Sequence, residues 1–132
     1  MASEPDALAD LFDAALPLAE QMLQRFESFY PYAIVRMTDG SIEPVLPAEE
    51  DDYEGAPLIE LLRELIGVMV STGDITGSAL VFDALVRCPE TDALQDAIAV
   101  ELGDGCGDLR LACVPYVVAD GEVALGPVQR SM

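Results

Sequence analysis

The chain is predicted to be an α+β domain, an antiparallel sheet with two helices packed on one face. Two stretches carry apolar residues at three- and four-residue spacing, the mark of amphipathic helices. Much of the remainder is short runs rich in Val, Leu and Ile, which read as strands. Asp39-Gly40 and Asp120-Gly121 are tight-turn dipeptides that join such runs into hairpins. The predicted order is α-β-β-α-β-β-β, with room for one more strand. At 132 residues, positions 1–132 are expected to form one domain around one core.

Residues 3–27 read as the first helix. Ser3 can cap it, with Asp6 at the capping-box position. Leu8, Leu11, Phe12, Ala15, Ala19, Met22, Leu23 and Phe26 share one face. Pro17 removes a backbone hydrogen bond, and since the stripe continues through it in phase, a kink is expected rather than a break. Tyr30 precedes Pro31 and so marks the helix boundary. Residues 32–38 and 41–46 are the arms of the first hairpin, and Pro44 assigns the second arm to a sheet edge. A polar, acidic loop spans 47–56. Pro57 suits the first turn of the second helix, 57–72, whose stripe is Leu58, Leu61, Leu62, Leu65, Ile66 and Met69 and whose cap is Gly73. Further strands are expected over 78–87, 96–102, 109–119 and 122–128, with a glycine-rich turn at 103–108.

Composition limits the chemistry. Apolar residues make up 52%, too many for a disordered chain. No apolar run reaches the roughly 18 residues of a membrane helix, and the acidic start is unlike the basic start of a signal peptide, so the cytoplasm is the expected compartment. The net charge is −19, from 25 acidic residues against six arginines. Nucleic acid and anionic membranes are therefore not expected as partners, because binding them requires cations against phosphate. A basic protein partner, or solubility alone, accounts for the charge. The absence of histidine removes the commonest general base, the usual activator of a nucleophile and the commonest zinc ligand.

Within each strand, side chains alternate between faces. Leu80, Phe82, Ala84 and Val86, with Ile98, Val100 and Leu102 and with Leu109, Leu111 and Cys113, are expected to form a fully apolar face against the helices. Val81, Asp83, Leu85 and Arg87, with Ala97, Ala99 and Glu101 and with Arg110, Ala112, Val114 and Tyr116, are expected to form the other. That face is greasier than a water-facing sheet usually is. Either a second subunit or a partner covers it, or Asp83, Arg87, Glu101 and Arg110 form cross-strand ion pairs in solvent. Tyr30, Tyr32, Val81, Leu85, Val114 and Tyr116 are the interface candidates. Glu49, Glu50, Asp51, Asp52 and Glu54 are candidates for docking a basic partner, and they lack the spacing of a calcium loop. Asp83 and Asp96, beside apolar strand runs, are the carboxylates to inspect for acid–base work, although an outward-facing role accounts for both. Cys88, Cys106 and Cys113 have no metal-site spacing and no neighbouring activator, so they are expected to be free thiols. No cofactor, metal or catalytic residue is expected.

Phe29-Tyr-Pro-Tyr-Ala33, Asp39-Gly40, Thr91-Asp92, Asp96-Ala-Ile-Ala-Val-Glu-Leu102 and Val114-Pro-Tyr116 together resemble a group of small bacterial proteins. In that group a helix leads into Phe-Tyr-Pro-aromatic-Ala and a later strand reads Asp-Ala-Ile-x-Val. Leu94-Gln95 interrupts the pattern here. Small acidic proteins of this build resemble immunity proteins of bacterial toxin systems, which implies a non-enzymatic, acidic module that binds a basic protein. A secretion-chaperone-like homodimer is the alternative, followed by a small-ligand binder or enzyme and then a DNA-mimicking inhibitor.

Overall fold

The computed structural model describes residues 4–27, 29–45, 56–87, 91–104 and 109–131. Helix α1 (Glu4–Phe26) leads into strands β1 (Tyr32–Met37) and β2 (Ile42–Val45). Helix α2 (Ala56–Ser71) follows, then β3 (Ile75–Arg87), β4 (Leu94–Gly103), β5 (Leu109–Ala119), β6 (Glu122–Leu125) and β7 (Gln129–Ser131). Every pairing is antiparallel, in the order β2-β1-β3-β4-β5-β6, with β7 also on β5. The fold class is therefore α+β. The Ser3 cap, the acidic loop from Glu49 to Glu54, Cys88 and Cys106 lie outside the described residues.

Local chemistry explains the turns. In the first hairpin Gly40 holds φ 92°, its amide bonds to the Met37 carbonyl at 2.9 Å, and the Met37 amide bonds to Ser41 at 2.8 Å. This is a three-residue connection with glycine in the left-handed position, one residue longer than a simple Asp-Gly turn. The last hairpin closes tightly, with Asp120 at φ 53° and Gly121 at φ 77° between the paired Ala119 and Glu122. Helix α2 ends as Gly73 foretold. Its φ is 77°, the Asp74 amide reaches the Met69 carbonyl at 3.0 Å, and the Gly73 amide reaches Val70 at 3.1 Å. These are the two bonds of a Schellman cap. Pro44 lies on the edge strand β2, as its missing donor requires. Between Leu125 and Gln129 the register on β5 advances by one residue, so β6 and β7 are one edge strand interrupted by a bulge.

The helices lie on opposite faces of the sheet, which corrects the expectation that both share one. Tyr32, Ile34, Ala79, Val81, Ile98, Val100 and Val114 pack under α1 with Leu11, Ala15, Ala19, Met22 and Leu23. The residues between them, Ala33 and Leu80, pack with Leu58 and Leu62 of α2. Alternation within each strand is as read, but the assembly across strands is not. Val81 pairs with Val100, and Leu80 with Glu101. The β4 row Ile98, Val100, Leu102 therefore joins the Val81 face, and Ala97, Ala99 and Glu101 join Leu80 and Phe82. Each face is apolar enough to hold a helix, so one-residue differences in register decide which helix lands where.

Helix α1 continues through Pro17. Tyr32, fully buried, sends its hydroxyl into the Ala15–Ala19 rung that brackets Pro17. It donates to the Ala15 carbonyl and accepts from the Ala19 amide, the latter at 3.0 Å. A side chain inserted into the helical ladder is a recognised cause of bending. Ala15 and Ala19, both fully buried, leave the room for the ring to reach the backbone.

Candidate functional site

Helix α1 covers the Val81 face only in part. Toward the far ends of β3 and β4 and on β6 the same face carries exposed side chains. Leu85 pairs with Asp96, and Tyr116 pairs with Leu125. Ala97 faces Pro115, so Asp96 and Tyr116 are neighbours one step further along. Leu85, Asp96, Tyr116 and Leu125 thus form one cross-strand row over β3, β4, β5 and β6. Leu94, opposite Arg87, begins the next row, and Asp83, opposite Ile98, belongs to the row before. Leu85 is 63% exposed, Leu94 59% and Leu125 39%, a strip of aliphatic surface interrupted by carboxylates.

The centre of this shelf is ordered. Tyr116 is buried, and its hydroxyl donates to Asp83 Oδ1 at 3.0 Å. Phe29, just after α1, meets the Tyr116 ring edge-on with centroids 6.5 Å apart and planes at 63°. Partial burial pushes the Asp83 carboxyl above its ordinary value, against the Tyr116 hydrogen bond, and the negative charge of Asp96 adds to the rise. Burial first, and then Asp83 itself, push the Tyr116 hydroxyl up, so it remains a donor at any physiological pH. Arg87 stands at the rim with its guanidinium bonded to the Asp92 carbonyl at 2.8 Å. Tyr116 and Asp83 form an acceptor-rich surface. Asp83 is partly buried on its Tyr116 side and open to solvent on the other.

The expected interface residues separate into two groups. Leu85 belongs to the shelf, whereas Tyr116 is 8% exposed and packs in the core under α1, with its hydroxyl bonded to Asp83 at the shelf's edge. Val81 and Val114 are buried beneath α1 and Tyr32 is enclosed by it, so these three are core residues rather than contact surface. Tyr30 is 48% exposed in the connection before β1. The proposed cross-strand ion pairs are replaced by other contacts. Asp83 takes Tyr116 and Arg87 takes Asp92, while Glu101 receives two bonds from Arg63 of α2, at 3.2 and 3.1 Å. Cys113 is half-buried, and burial raises its thiol, which disfavours the reactive thiolate. Asp83 and Asp96 were visible in the sequence as carboxylates beside apolar runs. Leu94 and Leu125 were missed, because only the register sets them beside Tyr116. No helix among the described residues is long and apolar enough to cross a membrane.

No family model matches the chain, and neither a curated protein nor a solved structure does.

Proposed function

We propose that the protein is a non-enzymatic acidic module that binds a basic protein, of the immunity or regulatory kind. The shelf carries this reading: exposed leucines set around Asp83 and Asp96, on a chain of net charge −19. A field of that sign draws a cationic protein from a distance, and apolar contact then supplies the short-range driving force. Asp83 has a raised titration, but its exposure makes it a weaker candidate for a proton-transfer site than an enclosed carboxyl would be.

Affinity capture from the native cell lysate tests the reading. A basic protein is expected on the immobilised chain at low salt and not at high salt. Failure to retain a basic protein at either salt overturns it. A secretion-chaperone-like homodimer is the second reading. It is favoured by Leu65 and Val68, 43% and 60% exposed in the second half of α2. A strict monomer in sedimentation, at concentrations well above micromolar, sinks that reading.

A further inference from the structure

We propose that the shelf is an arginine-anchored docking site, in which one guanidinium of the partner sits between Asp83 and Asp96 while flanking aliphatic side chains of the same segment lie on Leu85, Leu94 and Leu125. This rests on the basic-partner reading and narrows it to a place and a chemistry. The placement follows from register. Asp83 stands opposite Ile98 and Asp96 opposite Leu85, so the two carboxylates are diagonal neighbours on one face of adjacent strands. Diagonal positions of this kind lie about 7 Å apart. The closeness is felt at Asp83, whose carboxyl is raised in part by the charge of Asp96. Two like charges held side by side favour a cation between them.

Arginine fits that gap better than lysine. Its planar fork donates in several directions at once and is weakly hydrated, whereas an ammonium is a compact point charge. Tyr116 fills one acceptor position of Asp83, on Oδ1, and the Ala84 amide takes another, which leaves the remaining lone pairs of the carboxylate for an incoming donor. The Tyr116 ring, braced by Phe29, lies in the same row as Asp96. The nearest cation on this face, Arg87, is turned to Asp92 in the loop before β4, with N to Oδ1 at 3.7 Å. The leucines on both sides of the carboxylates require a segment with aliphatic residues beside its arginine. A purely polycationic tail would leave them exposed.

The test uses the full chain and a leucine- and arginine-rich amphipathic peptide, with its lysine and citrulline counterparts, in calorimetric titration at low salt. The arginine peptide is expected to bind, the lysine peptide more weakly by at least about fivefold, and the citrulline peptide not measurably. Asp83→Asn combined with Asp96→Asn, and separately Leu85→Ser, are each expected to weaken the arginine peptide by about tenfold or more. Asp10→Asn combined with Asp13→Asn removes the same charge from exposed positions of α1 and is expected to change affinity by no more than about twofold. The proposal is overturned by equal binding of the arginine and lysine peptides. It is also overturned if the α1 control loses as much as the shelf variants, or if the parent chain does not bind the arginine peptide. None of these results removes the basic-partner reading, which stands or falls on the capture experiment. If the double variant unfolds in circular dichroism, Leu85→Ser decides, because that side chain is already mostly in solvent.

Discussion

Single residues show how position overrides type. Tyr32 and Tyr116 look alike in the sequence as aromatics near strand ends. The first is used by the core, where its hydroxyl joins Ala15 and Ala19 of α1. The second is the hinge between core and shelf, bonded to Asp83. Tyr32→Phe is expected to cost about 1 kcal/mol in chemical denaturation, the net worth of a buried hydrogen bond. A loss near zero would show that the helix closes its own rung. Asp83 gives a pH signature with a definite sign. Its folded carboxyl titrates above the unfolded one, so the native state binds more protons in the interval between them. Its contribution therefore lowers stability as pH rises through that interval, and it vanishes below the unfolded value near 3.8. Asp83→Asn keeps an acceptor for Tyr116 and removes the titration. Urea midpoints should thus show the variant gaining on the parent as pH rises from 3 to 7, by less than about 1 kcal/mol because the group is exposed. A gain that grows toward acid would contradict the raised titration.

Elements follow local signals more faithfully than residues do. Gly73 ends α2, Pro44 sits on an edge, and both Asp-Gly dipeptides turn hairpins. Each of these depends on the backbone freedom of one or two residues, which no distant contact alters. Gly73→Ala is expected to destabilise by about 1 kcal/mol in thermal unfolding, since alanine resists a φ of 77°. The bulged end of the chain was less legible. One strand was expected over 122–128, whereas pairing stops at Leu125 and resumes at Gln129. A bulge is set by how the strand fits its neighbour, and Gly126-Pro127 only permits it. Helix α2 is likewise half legible. Leu58 and Leu62 are buried as its stripe requires, but Leu65 of the same stripe is exposed, because the sheet beneath α2 offers only Ala33 and Leu80 at the centre of the contact.

The molecule as a whole carries two cores divided by its sheet, and a charge of −19 around them. Such a charge opposes compaction through self-repulsion. Attractive pairs such as Arg63–Glu101 are few among the described residues and act only locally. The melting temperature is therefore expected to rise when salt increases from about 0.01 M to 0.5 M, as the screening length falls from about 30 Å to a few ångströms. A fall over the same range would mean that ion pairs outweigh repulsion.

Composition and spacing by themselves determined the α+β class, the strand alternation, the two amphipathic helices and the turns. All of these arise from local backbone preference and from periodic burial. The tertiary structure decided which alternating rows share a face. That choice set the helices on opposite sides, buried Val81, Val114 and Tyr116, and left Leu85, Asp96 and Leu125 exposed in one row. The physical reason is that strand register is a property of pairs. A shift of one residue turns every side chain over, and when both faces of a strand are apolar its own sequence carries no preference between them.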